Sequence, residues 1–348
     1  MTWACFSREV TDLIAPTPAA TMSLYREIEE RLQAKHPAPL ILTHARLPEH
    51  IRLPDVIIET SGSTQGRPEL VGLSWKALRS SAEATWDYLQ EPGQWWLRLP
   101  INKIAGFQVL VRSAIAGIPP SLTPAGSSYT AVVPTQVRRD PDILRSMKAV
   151  LVGGAPSPGL PDNIPFIRTY GMTETCGGCV YDGVPLSGTQ VRIDDGKILL
   201  AGPMLMEGYL GSQSPFIEDG NTRWLETGDI GTLDQGRLTV LGRADDIIIS
   251  GGINIVPSLV KSVILQKFPD LEVEVMGVPD PEWGEAVCAV VVGHHGGEEI
   301  VLTLEGHMRP RIVVHLPQMP LLSNGKIDKA ALRHAVDEQI RAGRAWRR

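Results

Sequence analysis

Several short polar segments of this chain combine side chains suited to binding a nucleotide. The first is a Ser/Gly-rich loop, in which hydroxyls and flexible glycine backbone supply the O–H and N–H donors that a polyphosphate needs. The residues expected to contact phosphate are Thr60, Ser61, Gly62, Ser63 and Thr64. No Gly-Lys-Ser/Thr follows, so the loop is not a P-loop. A polar surface turn is the alternative interpretation.

Two further segments place acidic and hydroxyl side chains after strand-like apolar runs. Glu174 follows one such run, where its carboxylate could hold Mg²⁺ beside the hydroxyl of Thr173. Asp229 follows another, and an Asp at a strand end can bind both ribose hydroxyls while Arg243 closes on the same ribose or phosphate. The alternatives are a capping Glu, a turn Asp and a weak surface ion pair.

Lys326 and a pair of cysteines are the remaining candidates. Lys326 lies in an Asn-Gly turn, from which a lysine can move its ammonium into and out of a site; a solvated turn lysine is the alternative. Cys176 and Cys179 form a C-x-x-C pair, which is typical of redox sites and of half a zinc site. No second pair and no histidines at ligand spacing accompany it, and His294-His295 is expected at a hairpin tip. We therefore expect structural cysteines.

The elements that would position these residues alternate between strands and helices. Apolar runs such as LPDVIIET and KAVLVGG predict buried strands, and helical spacing covers residues 21–33 and 105–116. Such alternation favours an α/β sheet that is buried on both faces. From Leu186, short strands between Gly and Asp turns predict a small antiparallel β unit. After it, a strand–glycine loop–helix pattern predicts a separate α+β block.

Composition limits the classes of function. The chain has 348 residues, enough for about two domains, and a net charge of −6, which argues against a nucleic-acid binder that works by overall charge. Its four cysteines are too few for a disulfide framework in a chain of this length. No signal peptide and no apolar run of about 20 residues is seen, so we expect a cytoplasmic protein with no membrane insertion.

The order of the motifs carries more information than any one of them. The run TSGST, YGMTET, ETGD, GRADD with IIISGGINI, and LSNGKIDK resembles the adenylate-forming acyl-CoA ligase superfamily, from residue 60 to about residue 333. LPINKIAGFQVLVRSAIAG and TETCGGCVYDGVPL are similar to the o-succinylbenzoate–CoA ligases of menaquinone biosynthesis. The resemblance implies an α/β protein with a large N-terminal domain (1–244) of mixed parallel sheets and a small β unit. A smaller, mobile α+β C-terminal domain (245–348) would follow.

The resemblance also implies a reaction in two halves. A carboxylate attacks the α-phosphate of ATP, giving an acyl-adenylate and pyrophosphate, and CoA then displaces AMP. Lys326 would bridge the carboxylate and the α-phosphate, Glu174 would hold Mg²⁺, and Thr173 would donate to phosphate. Asp245 would be the hinge of the C-terminal domain. The further implied nucleotide ligands are Gly153, Gly154, Ala155, Tyr170, Gly171, Asp229 and Arg243, and the CoA-side loop is Gly251-Gly252.

The implied acid is an aryl dicarboxylate, and its second carboxylate needs a fixed cation. Arg112 is the first candidate, because a guanidinium can bind a carboxylate through two parallel hydrogen bonds, and Lys103 is the second. The glycines expected close to the acid are Gly106, Gly177 and Gly178.

The chain departs from the family pattern in three places. The phosphate loop has Gln65 and an apparent extra residue, with Glu69 where Lys is usual; Ile253 replaces an acidic residue, and Lys103 replaces a His. The loop also begins unusually early, which suggests an N-terminal domain shortened at its front and a homodimer that covers the exposed flank. Two other functions stay open: a ligase for another aryl or acyl acid, with CoA or a carrier protein as acceptor, and a non-catalytic adenine-nucleotide-binding protein.

Overall fold

The computed structural model describes residues 17–35, 37–49, 52–60, 68–154, 163–322 and 327–347. These residues form two compact units. The first contains residues 17–154, 163–191 and 200–225, and the second contains residues 192–199 and 226–347. The domain boundary expected at residues 244 and 245 stays a prediction. None of the helices in the described ranges has the length and apolarity needed to cross a bilayer.

Strands and helices alternate along the chain. In chain order the strands are β1 (Leu40–Ile41), β2 (Val56–Glu59), β3 (Leu70–Leu73), β4 (Trp95–Trp96), β5 (Tyr129–Val132), β6 (Ala149–Val152), β7 (Phe166–Met172), β8 (Gly177–Tyr181), β9 (Val184–Pro185), β10 (Gln190–Asp194), β11 (Lys197–Ala201), β12 (Gly208–Tyr209), β13 (Phe216–Asp219), β14 (Thr222–Asp234), β15 (Arg237–Arg243), β16 (Ile248–Ser250), β17 (Ile253–Ile255), β18 (Glu272–Asp280), β19 (Gly284–Val292), β20 (Ile312–His315) and β21 (Trp346–Arg347). The α-helices are α1 (Pro18–Gln33), α2 (Trp75–Leu89), α3 (Ile104–Ala116), α4 (Pro134–Arg139), α5 (Pro141–Leu144), α6 (Pro257–Lys267), α7 (Gly297–Val301) and α8 (Lys329–Arg341). Short 3₁₀ helices cover Thr173–Thr175, Ala244–Asp246 and Gly306–Met308.

Two sheets organise the first unit. One has the order β1-β2-β3-β12, and the other has the order β4-β5-β6-β7-β8-β9, with parallel pairing from β4 to β7 and antiparallel pairing from β7 to β9. Every residue of β5 and β6 is buried, as the apolar runs predict. Because parallel strands end at one edge of their sheet, the polar segments that follow β4 to β7 are brought to the same edge, which is the usual ligand edge of such sheets.

Helix α3 packs against α1, α2 and β8. It begins at Ile104, directly after Lys103, and its first turn approaches the preceding loop so closely that a Cβ on Gly106 would lie 2.2 Å from the carbonyl oxygen of Pro100. Gly117 ends the helix in the left-handed region, with φ of 65°. Close backbone contact therefore fixes where α3 starts, and a glycine allows the chain to turn where it ends.

The small β unit contains one long strand, β14, with three partner strands, β11, β13 and β15. β14 pairs antiparallel with β13 along its first residues and with β15 along its later residues. The second pairing sets Asp229 opposite Arg243, with a register shift between Ile230 and Gly231. The antiparallel β unit predicted from the Gly and Asp turns is therefore observed.

The C-terminal part of the second unit is built on one sheet. Its order is β17-β16-β19-β20-β21, with β18 paired to β19. Apolar residues of these strands form two buried clusters; α6 packs against β18, and α8 packs against β20. The prediction of a hairpin tip at His294-His295 is wrong, because the helix Gly297–Val301 follows them instead of a paired strand. His295 instead lies near the carboxylates of Asp270 and Glu299, at 3.3 and 3.4 Å.

We expect the substitution Gly106→Ala to lower the free energy of unfolding by about 1–3 kcal/mol, the usual cost of inserting a methyl group into a packed site. Urea unfolding followed by circular dichroism measures it. Gly296→Ala is the control, because Gly296 has an ordinary φ of −68° and a Cβ there would meet no atom within 4 Å. Equal stability of the two variants would contradict the role of Gly106.

Candidate active site

Two hydrogen bonds between Thr60 and Glu69 close the base of the Ser/Gly loop. The backbone N–H of Thr60 donates to the carbonyl of Glu69 at 2.9 Å, and the backbone N–H of Glu69 donates to Thr60 Oγ1 at 3.0 Å. The Glu69 carboxylate accepts from the Ser212 hydroxyl at 2.8 Å. The predicted ligands Ser61, Gly62, Ser63 and Thr64, and the variant residue Gln65, lie outside the described residues.

Lys103 contacts the backbone on which this loop begins. Its Nζ lies 3.1 Å from the carbonyl oxygen of Thr60, 3.5 Å from that of Glu59 and 3.7 Å from the Glu59 carboxylate. Burial lowers the pKa of Lys103, and the Glu59 carboxylate offsets part of that effect. The residue expected as a second cation for the acid therefore already has three oxygen partners.

Glu174 lies in the 3₁₀ turn after β7, and this turn contacts β3. The hydroxyl of Tyr209 donates to Glu174 Oε1 at 2.7 Å, and the backbone N–H of Met206 donates to the Glu174 carbonyl at 2.8 Å. Thr173 in the same turn is buried. A half-buried carboxylate of fixed orientation fits Mg²⁺, which takes one or two protein carboxylates and fills its remaining positions with water and phosphate oxygens.

Tyr209 is a site residue that sequence reasoning missed. It lies on β12, a strand of two residues that pairs with β3 through Gly208 and Gly72, so only the tertiary fold brings its hydroxyl to Glu174. The Gly-Tyr pair between turn residues offers no periodic pattern that would mark a strand.

The glycines near the ends of β6 and β7 allow close backbone contacts. A Cβ on Gly153 would lie 2.5 Å from Thr169 Oγ1, and Gly154 has φ of 85°. A Cβ on Gly171 would lie 2.1 Å from the carbonyl oxygen of Gly177. Tyr170 precedes Gly171 at a register shift between β7 and β8. Ala155 lies outside the described residues. The structure thus places the described ones among these predicted nucleotide ligands near the carboxyl ends of two parallel strands.

Arg112 is a buried cation without an acidic partner among the described residues. Only 3% of its surface is exposed, its guanidinium carbon lies 5.0 Å from the centre of the Trp95 ring, and its Nε has no hydrogen-bond partner in the described ranges. Burial lowers the pKa of Arg112, and Tyr181 opposes this effect. A buried charge is costly unless it is paired. An anionic ligand would supply that pair.

Gln108 is a second residue that sequence reasoning missed. It is fully buried one turn before Arg112 on α3, donates its amide N–H to the Leu78 carbonyl at 3.2 Å, and leaves Oε1 without a partner among the described residues. A Cβ on Gly177 would lie 3.5 Å from Gln108 Cγ. A Cβ on Gly178 would lie 2.9 Å from Cε1 of the Tyr181 ring. The predicted glycine pair thus borders a group of polar atoms on α3.

The C-x-x-C cysteines are both buried. Cys176 and Cys179 are free and at most 2% exposed, and burial raises the pKa of both thiols, that of Cys179 to about 12. Thiolates are the reactive and metal-binding species, and the described ranges contain no group of three potential metal ligands. These observations favour the structural interpretation of the pair.

In the second unit, Arg243 is held between two carboxylates. Its NH1 lies 3.6 Å from Asp229, and its Nε and NH2 donate to Asp245 at 3.0 and 3.3 Å. Burial alone lowers the pKa of Arg243, but Asp245 and Asp229 outweigh it and raise the pKa. Gly228 makes room for the guanidinium, since a Cβ there would lie 3.1 Å from it. The two predicted ribose ligands are therefore neighbours, and the predicted hinge residue binds one of them.

The glycine loop between β16 and β17 packs under Trp283. Gly251 and Gly252 both have positive φ, and a Cβ on Gly251 would lie 2.7 Å from the Trp283 ring. Lys326 lies outside the described residues, but an antiparallel bridge joins Leu321 and Ile327 on either side of its turn. The loops predicted for CoA and for the swinging lysine thus both belong to the second unit.

Comparison with known proteins identifies the family. The chain is 34% identical to a probable 2-succinylbenzoate–CoA ligase of Mycobacterium tuberculosis over 373 aligned positions, covering 92% of this chain and 97% of that protein. No family model matches the chain.

Solved structures of the Bacillus subtilis o-succinylbenzoate CoA synthetase are also similar. The complex with its acyl-adenylate intermediate matches with a TM-score of 0.70 and 27% identity, over 80% of this chain and 69% of that one. The complex with ATP and magnesium matches with the same TM-score and identity, over 86% and 73%. The predicted α/β fold class, with a large N-terminal and a smaller C-terminal domain, is confirmed. Because the alignment with the Mycobacterium tuberculosis protein covers nearly the whole of both chains, this chain belongs to the family of 2-succinylbenzoate–CoA ligases.

Proposed function

We propose that this protein adenylates o-succinylbenzoate with ATP and transfers the acyl group to CoA, a step of menaquinone biosynthesis. The observation that carries the substrate class is the buried Arg112 guanidinium without an acidic partner in the described ranges. Membership of the ligase family supports the reaction class. ATP and CoA are substrates, and the acid supplies the carboxylate that is activated.

The first half-reaction brings two anions together. A carboxylate oxygen of the acid forms a bond to the α-phosphorus, and the bond from that phosphorus to the bridging oxygen breaks to release pyrophosphate. Thr60 and the loop it begins would bind the β- and γ-phosphates, and Glu174, oriented by Tyr209, would hold Mg²⁺. Bound Mg²⁺ would neutralise phosphate charge. Lys326 would bridge the acid and the α-phosphate.

The second unit would supply the ribose and CoA contacts. Asp229 would accept from the ribose hydroxyls while Arg243 holds it from one side, and Arg243 would face the same ribose or phosphate. CoA thiolate then attacks the acyl carbon, and AMP leaves. Rotation about Asp245 would withdraw Lys326 and present the Gly251-Gly252 loop, so that one site serves two reactions in sequence.

Arg112 would bind the carboxylate of the acid that is not activated. A guanidinium stacked on an aromatic ring has a fixed plane, which suits two parallel hydrogen bonds to a carboxylate. Gly177 and Gly178 would let the aromatic ring of the acid lie close to the backbone of β8. A monocarboxylic acid would leave the Arg112 charge unpaired, so this residue favours a dicarboxylate over the other aryl or acyl acids considered.

A homodimer and a cytoplasmic location belong to the proposal as well. Both were inferred from the sequence. A monomer in light scattering would remove the homodimer from the proposal.

The reaction is tested by pyrophosphate release from the purified chain with ATP, Mg²⁺ and o-succinylbenzoate, with and without CoA. We expect release that depends on the acid, and thioester only when CoA is present. Release with another aryl acid but not with o-succinylbenzoate would overturn the substrate. No release with any acid would favour the non-catalytic nucleotide-binding protein.

The variant Arg112→Met tests the carboxylate contact. We expect the KM for o-succinylbenzoate to rise about 10- to 100-fold, the usual range for a lost charged hydrogen bond, with little change in the KM for ATP. An analogue without the ring carboxylate should be used equally poorly by the variant and the parent. An unchanged acid KM would remove Arg112 from the site.

The variant Lys326→Ala separates the two half-reactions. Because the lysine would act only while charge develops at the α-phosphate, we expect adenylation to fall about a hundredfold or more. Conversion of preformed acyl-adenylate and CoA to thioester should stay near the parent rate. Full adenylation by the variant would show that another group neutralises the α-phosphate.

A further inference from the structure

Lys103 joins the helix that carries Arg112 to the strand that begins the Ser/Gly loop. Its ammonium has three N–H groups and three oxygen neighbours, namely the Thr60 carbonyl, the Glu59 carbonyl and the Glu59 carboxylate. The Lys103 side chain is 27% exposed and that of Glu59 is 24% exposed. At this depth a charged hydrogen bond is less weakened by solvent than one on an open surface.

The backbone around Lys103 is well fixed. Its N–H donates to the Pro100 carbonyl at 3.2 Å, and its own carbonyl accepts from the N–H of Phe107 at 2.9 Å. The close contact at Gly106 prevents the first turn of α3 from sliding against that loop. The backbone of Lys103 is therefore already fixed, so little backbone entropy remains to be lost when its ammonium contacts Thr60.

Thr60 is the residue at which the loop is closed. Its N–H and its hydroxyl oxygen bind Glu69, and its carbonyl oxygen binds Lys103. These bonds hold the backbone of Thr60, the last described residue before the loop. The Glu59 carboxylate also accepts from the Thr43 hydroxyl, so the other partner of Lys103 is fixed from a neighbouring segment.

This arrangement leaves little capacity for the acid. A carboxylate that reached Lys103 would compete with Glu59 for the same ammonium. Arg112 lies nine residues further along α3, roughly 13 Å along the helix axis, and has no such competitor in the described ranges. Lys103, just before α3, and Arg112, on α3, thus have different surroundings and suit different tasks.

We propose that Lys103 is a positioning residue for the ATP side of the reaction: it anchors the first peptide of the phosphate loop and does not bind the acid. This inference rests on the proposed function for the identity of the loop's ligand. It is specific to this chain, because Lys103 stands where its relatives are expected to carry a histidine.

The variant Lys103→Met tests the proposal by separating the two substrates. We expect the dissociation constant for ATP with Mg²⁺, measured by calorimetry without acid, to rise about tenfold, in line with a lost charged hydrogen bond. In the pyrophosphate assay the KM for ATP should rise by a similar factor. The acid KM should stay within about twofold of the parent. Lys103→Arg, which restores donors near the Thr60 carbonyl, should recover much of the ATP affinity.

Lys76→Met is the matched control, since Lys76 is an exposed lysine in the first turn of α2; both of its constants should equal those of the parent. Thermal unfolding checks that each variant is folded. A rise in the acid KM alone, no change in either constant, or equal rises in both would overturn the proposal. Calorimetry with ATP needs no turnover. A parent chain that released no pyrophosphate would therefore refute the proposed function, but the ATP affinities of the parent and of Lys103→Met could still be compared by calorimetry.

Discussion

The close contact of Gly106 with the carbonyls of Leu99 and Pro100 is the constraint on which the acid side of the site depends. It sets the start of α3, and the start of α3 sets the directions of Lys103, Gln108 and Arg112. Lys103 directly precedes the helix, and helix periodicity places Gln108 and Arg112 on successive turns. Lys103 therefore reaches the end of β2, while Gln108 and Arg112 reach the region of β8 and Trp95. A methyl group at residue 106 would move all three.

Two arginines of the candidate site differ in how the protein compensates their charge. Arg243 lies between Asp229 and Asp245, and these carboxylates raise its pKa in spite of burial. Arg112 has an aromatic ring and a tyrosine as neighbours, and burial lowers its pKa. The first charge is compensated within the protein. The second has no carboxylate partner in the described ranges; because folding has already desolvated this guanidinium, the proposed acid would not have to desolvate it again on binding.

Local sequence patterns predicted many of the helices and strands, but they did not predict contacts between residues that are far apart in the sequence. The helix α3 and the strands β2, β6 and β7 lie where the apolar patterns indicated. Helix α1 begins at Pro18, a little earlier than expected, although a capping Thr17 followed by Pro is a known start signal. Tyr209 and Gln108 were missed because their roles depend on partners far away in sequence. Lys103 was recognised as a candidate cation, but the sequence does not reveal that Glu59 and Thr60 surround it.

Glu69 places a negative charge at the end of the phosphate loop. A carboxylate at the loop's end would repel phosphate, yet its hydrogen bond to Ser212 is exposed, so solvent and salt screen it. The Lys103–Glu59 pair is half-buried, and its members nearly cancel at a distance. Lys103 therefore contributes little attraction to phosphate as a free charge. Its effect on ATP arises through the geometry of the Thr60 peptide, because a hydrogen bond that fixes a backbone dipole acts whether or not the surrounding charges balance.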